Sequence, residues 1–335
     1  MSRTYACTCI AVSLVVITGC AQSEEAASDT ALQNYALSDS SLDAGSPRAP
    51  RLAPDADQTA PKMLNGIVVD EDGYLWVADM EDSQLIRLEA PGEKIIARYG
   101  RELGVDGPDD LVLDEDFVYY TAAATLFGAV AKLDRKTHEV TTIASTGLGT
   151  NPIAWGPNGK LLAGRSPAAT RELGVALGFN GLLEVDPVKH KWKTMVADDK
   201  GINAFTYAPD GFVYGPHGLN GTAVLRIDLE SGEVKTIHET NLCSSVRYNP
   251  RDQHLYALAA ESEQRAILLR MALDGSDFSV FARMSELPEA QLISGDNFAI
   301  APDGTFYVTR FQPPIISRIS ADGSQIDDFY VGKKP

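Results

Sequence analysis

The sequence predicts an all-β fold: a six-bladed β-propeller with four antiparallel strands per blade. Three observations carry that prediction. A pattern of about 40 residues recurs six times between Met63 and Val331. Each copy has room for four short strands separated by turn residues, and almost no stretch shows the apolar spacing of a helix. A fixed period of this length denotes a solenoid or a propeller, and four short strands per repeat select the propeller.

The pattern is plainest in Asn65-Gly-Ile-Val-Val-Asp-Glu-Asp-Gly-Tyr-Leu-Trp-Val-Ala-Asp79. It recurs from Asn151 to Arg165, from Asn203 to His217 and from Asp296 to Arg310. Asp109 to Tyr120 lacks the turn glycine, and Ser244 to Tyr256 replaces it with Arg251-Asp252-Gln253. In the first repeat, strand a is placed at Ile67 to Val69, b at Tyr74 to Ala78, c at Gln84 to Leu88 and d at Lys94 to Arg98. The pairs Asp72-Gly73, Asn158-Gly159, Asp210-Gly211 and Asp303-Gly304 suit tight a–b hairpins, which need positive φ. Repeat boundaries fall near 63–104, 105–147, 148–200, 201–241, 242–292 and 293–332. In a propeller, strand a lines the central channel and strand d lies outside.

The first 19 residues read as a secretory signal: Arg3, an apolar run from Cys9 to Thr18, then a lipobox-like Ile17-Thr18-Gly19-Cys20. This segment is too short to span a membrane. The lipobox resembles that of bacterial lipoproteins, which implies cleavage before Cys20 and lipid on its sulfur. Ala21 in place of Asp implies an outer-membrane address in a Gram-negative cell envelope. Residues 20–61 are rich in Ser, Ala, Asp, Pro and Gln and read as a tether, leaving 62–335 for the propeller. After processing only Cys243 remains, so no intramolecular disulfide is expected. A lone Cys on an inner strand reads as buried packing.

The 335 residues carry 29 basic and 46 acidic side chains, a net charge of −17. A nucleic-acid partner is therefore not expected, because phosphate binding needs a basic surface. A monomer with a small-molecule ligand is expected.

The polar residue opening each strand a lies eight before the turn glycine where that glycine exists. The set is Asn65, Asp109, Asn151, Asn203, Ser244 and Asp296. Asn, Asp and Ser start strands and cap turns well, which explains any single position. Six of six in one register instead suggests oxygen ligands converging at one channel mouth, the cage that a divalent cation such as Ca²⁺ requires. A second ring, six past the turn glycine, reads Asp79, Ala122, Arg165, His217, Ala259 and Arg310. On the same face, Arg165 and Arg310 suit a carboxylate or phosphate, Asp79 and Asp109 suit polar substrate groups, and His217 suits general acid–base work. An insertion at Ser166 to Asn180, with a short helix expected over Ala168 to Leu177, reads as a lid.

The motif Asn-x-Ile-Ala-Trp-x-Pro-Asn-Gly at 151–159, with its copies over 63–332, resembles the senescence-marker-protein/gluconolactonase/luciferin-regenerating-enzyme propellers. Propellers built from NHL repeats are broader relatives. The resemblance implies a divalent cation at the top of the channel, held by a Glu in blade one, Asn in middle blades and a later Asp. It also implies a polarised lactone carbonyl attacked by water. Asn151 and Asn203 match the family's asparagines. Asn65 stands where the family has Glu, and Ser244 where it has the later Asp, with Asp296 one blade further on.

Three functions follow as expectations. One is a lactone hydrolase with Asn65, Asn151, Asn203 and Asp296 around the metal and Asp296 or His217 as proton acceptor. Another is a non-catalytic ligand- or protein-binding lipoprotein. The third is a metal-assisted lyase with His217 as base. Gly-x-Ser-x-Gly, His-Glu-x-x-His, phosphate-loop and Rossmann motifs are absent from the sequence.

Overall fold

The computed structural model describes residues 57–123, 128–147, 149–165, 181–197, 200–218, 221–262, 264–287 and 295–333. All lie in the compact unit Ala49–Pro335. The signal segment, Cys20, most of the tether and the 166–180 insertion with its expected helix lie outside the described residues.

Six four-stranded antiparallel sheets follow one another along the chain. Blade 1 is β1 (Leu64–Val69), β2 (Leu75–Asp79), β3 (Gln84–Glu89) and β4 (Lys94–Tyr99). Blade 2 is β5 (Pro108–Leu113), β6 (Phe117–Ala122), β7 (Gly128–Asp134) and β8 (Val140–Gly147). Blade 3 is β9 (Thr150–Trp155), β10 (Leu161–Arg165), β11 (Gly181–Asp186) and β12 (Lys191–Val196). Blade 4 is β13 (Thr206–Tyr207), β14 (Phe212–Pro216), β15 (Gly221–Asp228) and β16 (Val234–Cys243). Blade 5 is β17 (Ser245–Asn249), β18 (His254–Ala260), β19 (Ala266–Met271) and β20 (Ser279–Arg283). Blade 6 is β21 (Asn297–Ile300), β22 (Phe306–Arg310), β23 (Ile315–Ile319) and β24 (Ile326–Tyr330). The expected six-bladed propeller is thus the observed fold. Among the described residues no helix is long and apolar enough to cross a membrane.

The core is not one cluster but six, each filling the seam between two neighbouring blades. Trp76, Leu85 and Tyr99 of blade 1 meet Leu111, Val118 and Tyr120 of blade 2. Similar seams join blades 2 and 3, 3 and 4, 4 and 5, and 5 and 6. The sixth seam joins blade 6 to blade 1, packing Tyr307 and Ile316 against Leu64, Val77 and Ile86. Both faces of most inner strands are therefore largely covered, which explains their near-continuous apolar runs.

The ring closes without strand exchange, since β24 completes blade 6. The chain on either side then braces blade 1: Gln58 pairs with Ile95 through both amide atoms (2.9 and 3.1 Å), and Gly332 N–H reaches the Glu93 carbonyl. The last residues of the expected tether thus lie on the propeller. Five of the six c–d pairs contain a register shift, which twists the outer edges away from edge-to-edge pairing.

The a–b turns differ from expectation in one respect. At Asp72-Gly73, Asp210-Gly211 and Asp303-Gly304 only the glycine has positive φ, whereas at Asn158-Gly159 both residues do (58° and 67°). The degenerate repeats find substitutes. Gln253 adopts φ 61° in blade 5. In blade 2 the Asp114 carboxylate accepts from Asp116 N–H (3.0 Å) and Phe117 N–H (2.8 Å), so no glycine is needed.

Candidate functional site

In blades 1 to 3 the oxygen-ring positions are built by the same local irregularity. In blade 1, Asn65 and Gly66 together face the single residue Ala78, because the register shifts between Leu64 and Ile67. Asp109-Asp110 does the same against Thr121, and Asn151-Pro152 against Gly164. These are bulges, which re-aim a side chain at the end of a strand. Gly66 is required by this geometry, since a Cβ there would lie 2.7 Å from the Asp109 carbonyl oxygen and the Asp110 Cα of the next blade. Hydroxyl latches tie the ring residues to neighbouring blades. Thr309 Oγ1 donates to the Asn65 carbonyl at 2.6 Å, Thr121 Oγ1 donates to the Asn151 carbonyl, and Ser244 Oγ donates to the Gly295 carbonyl at 3.1 Å.

All six ring residues are buried, between 1% and 7% exposed. Burial raises the Asp109 carboxyl well above the ordinary carboxylate range, with Asp296 and then Asp110 adding repulsion and a hydrogen bond from Asn65 opposing it. Burial likewise pushes Asp296 up to about 7, with Asp110 adding and Arg247 opposing. The structure therefore brings Asn65, Asp109 and Asp296 together from blades 1, 2 and 6. Asn151, Asn203 and Ser244 are the buried residues at the same register in blades 3 to 5.

A polar floor lies one residue deeper. Asp110 Oδ1 accepts from Asn297 Nδ2 at 3.0 Å, and Asp110 Oδ2 accepts from Ile153 N–H at 3.3 Å. Arg247 rises from two positions below: Nη2 donates to Asn297 Oδ1 at 2.8 Å, Nη1 donates to the Phe205 carbonyl at 2.6 Å, and Nη2 lies 3.5 Å from Asp110 Oδ2. Blades 2 to 6 contribute to this floor. Arg247 offsets the buried carboxylates Asp110 and Asp296, and Asp109 is buried beside both.

Sequence reasoning missed Asp110, Asn297 and Arg247. A second polar residue follows the ring position at Asp110, Ser245 and Asn297. The signal was present as the doublets Asp109-Asp110 and Asp296-Asn297, and as an arginine interrupting the apolar run of blade 5.

The second ring divides by burial. Asp79 is fully buried and accepts from the N–H groups of Lys62 (3.2 Å), Met63 (3.2 Å) and Asp82 (3.4 Å), which holds the entry segment and the b–c turn of blade 1. Arg310 is also fully buried. Its Nε donates to Ser317 Oγ at 3.0 Å, and its Nη2 donates to the Ser285 carbonyl at 3.1 Å. Both side chains are engaged in structural hydrogen bonds. Arg165 is half-buried, with its guanidinium 6.0 Å from the Trp192 ring on outer strand β12. His217 lines a groove of about 790 Å³ between blades 4 and 5, with His238, Glu239 and Glu261. That groove opens on the b–c side, outward of the ring.

The donor set fits a hard cation. Two carboxylates and three amide side chains offer oxygen ligands, and a cation among them would offset the burial and mutual repulsion that disfavour the charged forms of Asp109 and Asp296. Among the described residues no three His, Cys, Asp or Glu side chains form a metal-binding group, so amide oxygens are needed to complete any cage.

No protein-family model matches the chain, and no curated protein matches it. Solved structures do. Virginiamycin B lyase from Staphylococcus aureus has a TM-score of 0.56 at 16% identity, covering 83% of this chain and 88% of that one. Regucalcin, a calcium-binding protein from Agrobacterium tumefaciens, has a TM-score of 0.55 at 17% identity, covering 76% and 84%. A protein assigned as a gluconolactonase has a TM-score of 0.58 at 12% identity, covering 83% and 93%. The chain is similar to these in fold, so the expected likeness to gluconolactonase-type propellers holds at that level.

Proposed function

We propose that the protein is an exported, Cys20-anchored propeller that hydrolyses a lactone at a divalent-cation site in the mouth of its channel. The observation that carries this reading is the joint burial of Asp109 and Asp296 in one oxygen-lined mouth, with Asp110 buried beside them. Buried like charges demand protons or a cation. Asn65, Asn151, Asn203 and Asp296 would hold the ion, with Asp109 supplying the second carboxylate, and Ca²⁺ best suits so oxygen-rich a set. The calcium binding named for regucalcin and the activity assigned to the gluconolactonase neighbour support the same choice.

When bound, the cation supplies Lewis-acid polarisation of the lactone carbonyl. Asp296, buried in the mouth beside the reacting carbonyl's place, would take a proton from the attacking water and return it to the departing ring oxygen. The bulges and hydroxyl latches hold the ring residues in place, so little reorganisation accompanies the reaction. Arg165, half-buried at the end of β10, would meet an anionic substrate group. A panel of sugar and acyl lactones, assayed with Ca²⁺ and with a chelator, tests the reading. Calcium-dependent turnover that Asp296→Asn abolishes supports it, and turnover indifferent to both overturns it.

A second reading is a metal-assisted lyase with His217 as base. It is supported by the position of His217 in a groove on the mouth side, next to His238 and Glu261. Loss of turnover on His217→Ala, with no lactone hydrolysed, favours it.

A further inference from the structure

We propose that the opposite mouth of the channel is a second binding site, for a small organic anion with a flat apolar body. The inner strands of all six blades line a funnel of about 500 Å³ on the a–b turn side. That volume lies within the range of small-molecule sites, about 300–1,000 Å³. The polar floor of Asp110, Asn297 and Arg247 separates it from the oxygen ring, so the two mouths are chemically distinct.

The walls are apolar, and the half-buried Trp155, Tyr207 and Tyr248 bring aromatic surface to them. Trp155 is fixed by donating Nε1–H to the Leu113 carbonyl at 3.1 Å and by an edge contact with Tyr119. Among the described residues the charged side chains of the lining are Arg247 and Arg251, and no carboxylate lines the funnel with them, in a chain of net charge −17. Arg247 stands at the inner end. Its side chain retains 17% exposure, and its Nε makes no hydrogen bond among the described residues. Asp110 shares its charge from the far side of the floor, at 3.5 Å. Arg251 stands at the outer rim, where Nη1 donates to the Pro302 carbonyl at 2.7 Å. Aromatic faces between two guanidiniums match an arene carboxylate or sulfonate, whose ring stacks while its oxygens take charge-assisted hydrogen bonds. The site owes nothing to the proposed lactonase chemistry.

Titration of the full chain with 1-anilinonaphthalene-8-sulfonate, followed by fluorescence and calorimetry, tests the proposal, with 1-naphthylmethylammonium as the cationic control. One equivalent of the anion should bind, and the cation should bind at least tenfold more weakly. Arg251→Glu, at an exposed position, should weaken the anion at least tenfold. Ala301→Trp should block the funnel and abolish binding, with the fold checked by circular dichroism. If Ala301→Trp does not fold, Arg251→Glu decides alone. Equal affinity for both probes, no binding, or anion binding unchanged in folded Arg251→Glu overturns the proposal.

Discussion

Asn297 Nδ2 donates to Asp110 Oδ1 at 3.0 Å across the channel, joining blade 6 to blade 2 past blade 1. The two residues are 187 apart in sequence, so only the closed ring brings them into contact. With Arg247 they form the floor on which the oxygen ring rests. The packing of six separate seams, the closure of the ring and the chemistry of the mouth are therefore linked through one buried polar cluster.

Removing the guanidinium should expose that linkage. Arg247→Met leaves Asp110 buried beside Asp296 without its cation, and breaking a buried pair in this way costs about 3–5 kcal/mol. Adding Asp110→Asn should recover a large part of the loss, because the uncompensated charge is then gone. Urea unfolding of the two single variants and the double variant measures this. Additive losses would show that the two side chains are not coupled.

The cation-free protein should show an inverted pH response from the ring. Asp296 has its folded-state pKa raised from 3.8 to about 7, so between those values the native state binds more protons than the unfolded one. Its contribution to stability is complete below about pH 4 and is lost as pH rises through 7. At about 1.4 kcal/mol per tenfold change in proton affinity, the effect is bounded at roughly 4 kcal/mol. Asp296→Asn removes the titration. The stability of the variant relative to wild type, measured in chelator, should rise between pH 4 and pH 8. A flat difference would contradict the buried, repelled carboxyl.

Much of the fold was legible because each repeat states its own turns. The Asp-Gly and Asn-Gly pairs and the apolar runs between them locate most of the strands of blades 1, 3, 4 and 6. The oxygen ring was legible for the same reason, since its residues keep a fixed distance from the turn glycine. Burial was not legible. Asp79 and Arg310 share a register position with Arg165 and His217, yet the first two are fully buried and the other two half-buried. No local pattern separates the two outcomes. The floor was hidden because Asp110 and Asn297 meet only after six blades have closed.

Cys243 offers a check on the seam between blades 4 and 5. It is fully buried, and burial pushes its thiol up to about 12. Iodoacetamide at pH 8 should leave Cys243 unmodified in the folded protein and alkylate it in denaturant, as read by peptide mass spectrometry. Rapid labelling of the native chain would mean that this seam opens.

Two substitutions divide the functional readings. If the lactonase account holds, Asp296→Asn should lower kcat by about 10²–10⁴-fold, the usual worth of a positioned acid–base group, while His217→Ala changes it by less than about tenfold. The lyase reading predicts a loss of that size with His217→Ala. If the protein only binds its ligand, no turnover exists for either change to affect.

The most direct test of the central claim is calcium content and calcium-dependent melting of the purified protein. One bound cation per chain, a melting temperature that falls on chelation and recovers with Ca²⁺, and loss of both in Asp296→Ala are the results expected of an oxygen-ring cation site. No bound metal, and no shift in melting with any divalent ion, would contradict it.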